Sequence, residues 1–453
     1  TARTALFGSS EVTASQAAEE FGRDVTMTAY DLAAMQGINA ALNDLVVALS
    51  NVDQSAVAEA RAYAQSYTSV FQDVPPSYID LGHFLDLLIE VVGDPAVSDA
   101  AQNVKSAIAQ SVLAEMHGPE RPGSTGISIY FPNSDLYSFT FNGDGPAYTA
   151  FAGRFATASL WDDFLTFHYT GEPFDPASAD LAVLTPAESH QTDFTDAAAN
   201  SAPDPGAALV IPGSGEITIE PLTLSTLEVG PDESINIATT ITGSNIGYVY
   251  YFVSYYDPDS DSFLTADMGF IAAEQTREVG GIFYPDWGDG PISIDFDWEP
   301  TLYFMSDGNE DNDQFAFFEP TVYGVDVESD VYTVRGLYTF AGTGTEVYAE
   351  MDFDGYGNFL SVFGFEGDGG TGAPHEITPQ PGDQFTIYEE WLEFDTNPDG
   401  EFVDYLGGTM TFGDQPFFWQ PYYAYAGDYI LGILVEDLNG NIYFEYALVT
   451  VTE

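Results

Sequence analysis

The chain has 453 residues, 45% hydrophobic and 15% aromatic, so it has material for two or three packed domains and is not a disordered acidic tail. A formal net charge of −64, from 72 Asp and Glu against 8 Lys and Arg, excludes nucleic acid and anionic membrane surfaces as partners; divalent cations and basic polypeptides are the natural counter-charges. There is no cysteine, which excludes disulfides, thiolate metal sites and a cysteine nucleophile within these residues.

The bases are unevenly placed. Arg3, Arg23, Arg61, Lys105, Arg121 and Arg154 lie in the first third, and only Arg277 and Arg335 serve the rest. Most carboxylates therefore have no salt-bridge partner and must be solvated, screened or bound to cations. No apolar run reads as long enough to span a bilayer. Thr1 reads as the start of a processed chain, and the acidity with the aromatic β-rich tail predicts a secreted or cell-surface protein. Halophilic adaptation is the competing explanation of the charge.

Residues 1–172 read as helix-rich α/β. Leu32, Met35, Ile38, Leu42, Leu45 and Leu49 recur at helical spacing between Asp31 and Ser50. Asp53 to Asp73 is an alanine-rich helix candidate. Leu81 to Val92 is an apolar helix stopped by Gly93 and Pro95, and Pro95 to Glu115 is another. Shorter helices are expected over Tyr148 to Phe155 and Leu160 to Phe167. Only Val25 to Tyr30 and Gly126 to Phe131 look like strands, and both are assigned to one parallel sheet with helices on both faces. Such a pair does not make a self-contained sheet, so this region reads as half of an α/β domain with an exposed edge.

Residues 173–213, punctuated by Pro173, Pro176, Pro186, Pro203 and Pro205, read as a linker. From Gly215 the pattern shifts to period two, with turn signals at Asp354-Gly355, Asp399-Gly400 and Asn439-Gly440. A division near residue 330 gives two acidic β-sandwich-type modules, 214–330 and 331–453. The clearest element is the last hairpin, Tyr429 to Glu436 and Asn441 to Val451, and no long exact repeat is visible. The predicted fold class is thus multidomain α/β plus all-β: a partial α/β sheet domain followed by two β-sandwich-type modules.

Few motifs carry chemistry. His83, His117, His168, His190 and His375 show no zinc-binding spacing, and each reads as structural or superficial. The run Gly367-Asp368-Gly369-Gly370-Thr371-Gly372 has the spacing of a dinucleotide fingerprint but is followed by Ala373-Pro374 rather than a helix, so it reads as a loop. Asp257, Asp259 and Asp261, and Asp307, Asn309, Asp311 and Asp313, alternate oxygen side chains in a way that can converge on calcium. Neither run is an EF-hand: Ser262 and Asn312 replace the sixth-position glycine, and Met268 and Phe318 the closing glutamate. Calcium loops and solvated acidic hairpin loops are both open readings. Paired carboxylates for glycoside hydrolysis are a further reading for which the sequence singles out no pair.

Four segments together resemble the clostripain-like cysteine peptidases: Val25-Thr-Met-Thr-Ala-Tyr-Asp-Leu32; Ile79-Asp-Leu-Gly-His-Phe-Leu85 through Leu88; Gly126-Ile-Ser-Ile-Tyr-Phe-Pro132; and Tyr148-Thr-Ala-Phe151 through Trp161-Asp-Asp-Phe-Leu165. Their order and spacing look like the later part of that family's peptidase domain. The resemblance implies a caspase-like sheet, proteolysis by a His-Cys dyad, often after basic residues, self-cleavage, and calcium dependence in some members. The dyad would lie upstream of the matching region, and with no cysteine here no catalytic residue carries over. The expected function is that of a processed, non-catalytic C-terminal fragment that completes the peptidase fold. It would carry β modules for substrate, surface or self-association. The expected partner is an upstream catalytic fragment of the same precursor, or copies of itself in an oligomer or filament. The alternative is an extracellular structural protein that assembles into filaments or matrix on an inactivated peptidase scaffold.

Overall fold

The computed structural model describes residues 26–67, 77–118, 121–134, 136–137, 149, 152–184, 209–279, 282–288, 290–324, 326–365, 374–394 and 401–453. The chain is mixed and mostly β, and it divides into two units. The first comprises Thr1–Gly215, Arg277–Tyr284 and Asp437–Asn441; the second is Glu216–Thr276, Pro285–Glu436 and Ile442–Glu453.

In the first unit, local chemistry sets the helices. β1 (Thr26–Tyr30) leads to Asp31, whose carboxylate caps a 3-10 turn that runs into α1 (Met35–Leu49). Asp53 caps α2 (Gln54–Ala62), and β2 (Ser66–Tyr67) follows it. The helix expected from Asp53 to Asp73 therefore ends at Ala62, well short of its predicted length. Residues 68–76 lie outside the described residues.

β3 (Tyr78–Asp80) delivers Asp80 as the cap of α3 (Leu81–Val92), and Gly93, at φ 64°, ends that helix in the left-handed region. Asp94 and Pro95 then start α4 (Pro95–Ser111), with Asp94 accepting from the amides of Ala96 and Val97. β4 (Val112–His117), β5 (Ser128–Tyr130), α5 (Gly153–Ala158) and α6 (Trp161–Thr170) complete the set. Leu42, Leu45, Val46, Leu49, Phe84, Leu85, Leu88, Val104, Phe131, Trp161 and Phe164 form one buried core. Phe131 sits at its centre, edge-on to Phe84, Trp161 and Phe164 at 5.5–5.8 Å.

The expected single parallel sheet is not formed. β1 pairs antiparallel with β4, while β5 pairs antiparallel with β3, which in turn pairs antiparallel with β2. The cause is Val112–His117. Leu113, Ala114, Glu115 and Met116 are good helix formers, and the sequence places them largely in the preceding helix. That helix stops at Ser111 because pairing with β1 overrides propensity. One stretch, Leu32–Leu49, is long and apolar enough by length and composition to cross a membrane, contrary to the sequence reading. Its Leu42, Leu45, Val46 and Leu49 belong to the core of this unit.

The expected linker is partly structured. Phe174, Ala179 and Leu209 pack on the core, and Arg154 Nε donates to the Val183 carbonyl at 2.9 Å. Residues 185–208, with Pro186, His190, Pro203 and Pro205, lie outside the described residues, as do Tyr148, Phe151, Asp399-Gly400 and the glycine run 367–372.

The second unit opens with β6 (Thr218–Ile219), β7 (Thr223–Leu224), β8 (Glu228–Val229) and β9 (Ile235–Thr242). β10 (Ile246–Asp257) and β11 (Ser262–Phe270) come next. β12 (Gln275–Val279) and β13 (Ile282–Asp286) pair with each other and lie mostly in the first unit. β14 (Ile292–Trp298) and β15 (Thr301–Ser306) return to the second. β16 (Gln314–Phe315), β17 (Glu319–Val322), β18 (Val331–Phe340), β19 (Thr345–Asp354), β20 (Phe359–Phe365) and β21 (Pro374–Glu376) follow. The last strands are β22 (Gln384–Glu393), β23 (Glu401–Thr411), β24 (Phe418–Tyr423), β25 (Gly427–Asp437) and β26 (Ile442–Val451).

Twelve strands form one sheet, in the order β21-β20-β19-β18-β22-β11-β10-β25-β26-β8, with β17 on β18 and β23 on β22. Strands from both sides of residue 330 interleave there: β11 pairs with β22, and β10 lies beside β25. The division into 214–330 and 331–453 therefore does not separate two modules. A turn-by-turn reading groups strands that are close in sequence, and these strands found partners more than a hundred residues away. Smaller sheets, β14-β9-β6 with β7, and β16-β15-β24, share buried cores with the large one.

Candidate functional site

The acidic loops, read as either calcium loops or solvated hairpin loops, are tight turns. Asp257 closes β10, and its carboxylate accepts from the Asp259 amide at 3.0 Å and the Ser260 hydroxyl at 2.7 Å. Those bonds hold its pKa below the ordinary value. Asp261 has φ 53° and accepts from the Tyr256 hydroxyl at 2.8 Å. In the other loop Asp307 accepts from the Asn309 amide and from Asn312 Nδ2, and Asp313 accepts from the Tyr422 hydroxyl at 2.5 Å. Asp311 stays exposed. Among the described residues, no three His, Asp or Glu side chains come together as a metal-binding group. Asp257 and Asp307 bond within their own loops, whereas Asp313 reaches Tyr422 on β24.

The histidines divide by burial. His168 is enclosed by Phe131, Phe164 and Tyr169 and faces Gln54 Oε1 at 2.8 Å; burial lowers its pKa to about 3, so it stays neutral. His83 Nδ1 accepts the Gln65 amide at 2.8 Å, and burial lowers its pKa too. His117 lies 2.8 Å from Glu115 on β4, and His375 lies on β21. None of these described histidines bonds a Ser or Thr hydroxyl.

Asp80 gathers a polar cluster in the first unit. It caps α3 through the His83 amide at 3.0 Å and accepts from the Thr125 amide, the Thr125 hydroxyl and the Tyr67 hydroxyl at 2.5–2.9 Å. Tyr67 also meets Ser124 Oγ at 2.8 Å. Thr125 approaches so closely that a Cβ at position 82 would strike it, which explains glycine inside a helix. The cluster ties β2, β3, α3 and the 124–125 loop together.

Two hairpin loops share a signature that the sequence reading missed. Asp354-Gly-Tyr-Gly-Asn358 and Asp437-Leu-Asn-Gly-Asn441 both follow Asp-x-x-Gly-Asn. In each, the aspartate accepts from the amides two and four residues on and from the closing Asn side chain, at 2.8–3.1 Å. The glycines, at φ 81° and 82°, supply the left-handed residue. Asp437 is fully buried. Its charge favours the protonated guanidinium of buried Arg61, whose pKa is lowered by burial.

The feature that points outward is the β1–β4 ribbon. Most of its residues are exposed, and Met27 (68% exposed), Leu113 (72%), Met116 and Tyr30 stand in solvent, while Thr28 and Glu115 are half-buried and Val112 packs against the core. A two-stranded ribbon with apolar side chains this exposed is marginal in water.

Compared with known proteins, the chain matches no family model and no curated sequence. The resemblance to the clostripain-like peptidases rests on the four sequence segments alone.

Proposed function

We propose that this chain is an exported, non-catalytic partner segment of a clostripain-like peptidase, with its first unit completed by a cysteine-bearing polypeptide that docks on the β1–β4 ribbon. The observation that carries this is the ribbon itself, where Met27 and Met116 pair on one face and, with Leu113 and Tyr30, stand exposed. A covering layer would bury Met27, Leu113 and Met116, each contributing roughly 1.5–3 kcal/mol when fully buried. The order of the four resembling segments supports the choice of partner, and the absence of cysteine assigns the nucleophile to the other polypeptide. The smaller sheets that share cores with the large one support a sandwich-type role for the β part as an accessory module.

A photo-crosslinker at Met27 or Met116, activated in the culture medium of the source cells, tests the proposal. The expected product joins this chain to a different polypeptide that reacts with iodoacetamide and cleaves after Arg or Lys. The isolated chain should cleave nothing. A product containing only this chain would replace the proposal with self-assembly on an inactive scaffold, and turnover by the pure chain would end it.

A further inference from the structure

The outer face of the β25–β26 hairpin is apolar between two acidic ends. In register, Ile442 lies opposite Glu436, Phe444 opposite Leu434, Tyr446 opposite Gly432, Leu448 opposite Ile430, and Thr450 opposite Asp428. Ile442, Phe444, Tyr446 and Leu448 alternate along one face, and Phe444 and Leu448 are each 61% exposed. The Phe252 ring lies over Gly432, where a Cβ would strike it, and extends the apolar surface across the neighbouring strand. Asp428 accepts from Thr450 Oγ1 at 2.7 Å, and Glu436 accepts from the Tyr250 hydroxyl at 3.3 Å. Among the described residues, β8 pairs with β26 only at Thr450 and Val451, and no other strand pairs with Phe444 to Leu448 on that side.

We propose that this edge takes an extended basic polypeptide segment as an added β-strand, with apolar residues on the Ile442–Leu448 face and Lys or Arg residues toward Asp428 and Glu436. Strand addition uses backbone hydrogen bonds for affinity and alternate side chains for selection. Charge selects the occupant. Arg335 is the only Lys or Arg in the second unit, and a second copy of a chain at −64 is repelled, whereas a cationic strand is attracted.

The probe is a ten-residue peptide of alternating Val and Lys, titrated calorimetrically at low salt. Binding is expected to weaken roughly tenfold or more for the F444T/L448T double variant, and likewise for a peptide N-methylated at alternate amides, which cannot form the ladder. A Val–Glu peptide should not bind. Equal binding to wild type and double variant would reduce the interaction to diffuse charge and overturn the proposal. Should the double variant not fold, equal binding of methylated and unmethylated peptides to the wild type overturns it instead. Light scattering that shows the chain alone doubling in mass, with the doubling lost in the variant, would assign the edge to a second copy.

Discussion

Asp267 on β11 is buried beside Tyr251, Tyr303 and Tyr332, and desolvation raises its pKa to about 7 despite a hydrogen bond from Tyr251. A carboxyl with a raised folded-state pKa contributes stability that is complete below its unfolded pKa and is lost as pH rises from there through about 7. Asp267→Asn should therefore gain on the wild type as pH rises, by about 2 kcal/mol between pH 5.5 and pH 8. Denaturant unfolding at those two pH values measures this; parallel pH dependence in the two proteins would show that Asp267 is not the titrating group. Arg335 has the opposite part. Its guanidinium meets Glu390 at 2.5 Å, Asp404 at 3.5 Å and Glu319 at 3.7 Å with little exposure. Arg335→Met leaves those carboxylates facing one another and should cost about 2–3 kcal/mol, partly recovered in 1 M salt. A loss unchanged by salt would mean that packing, not charge, dominates.

At the scale of elements, the β1–β4 ribbon should behave differently from the core helices. Its amides should exchange with solvent far faster than those of Leu85 to Leu88 in α3, because most of its residues are exposed and the α3 residues are buried. Hydrogen exchange followed by mass spectrometry resolves the two. Protection of β1 equal to that of α3 in the isolated chain would remove the case for a missing partner. The same ribbon shows the limit of sequence reading. α3 was legible, because its apolar run stops at Gly93 and Pro95. β4 was not, because Leu113 to Met116 form helices readily in isolation and became a strand only by pairing with β1, more than eighty residues earlier.

For the whole molecule, charge sets the response to conditions. At −64, self-repulsion destabilises the compact state, and added salt should raise the melting temperature. Because Asp257 and Asp307 already accept bonds within their own loops, calcium at matched ionic strength should raise it no further than sodium. A calcium-specific increase in thermal unfolding temperature would support the calcium reading of Asp257 to Asp261 or Asp307 to Asp313.

The sequence by itself determined the helix ends marked by caps and glycines, the final hairpin around Asn439-Gly440, the change to a β-rich tail after Gly215, and the absence of a cysteine nucleophile. These depend on residues a few positions apart or on composition. Only the tertiary structure decided that β11 pairs with β22 across the expected boundary at 330, that Asp257 bonds within its own loop, and which apolar side chains of the described residues stand exposed. In β26 both faces are rich in apolar residues, Val449 and Val451 on one and Phe444 and Leu448 on the other. Alternation shows that a strand has two faces; which one is buried depends on neighbours brought from elsewhere in the chain.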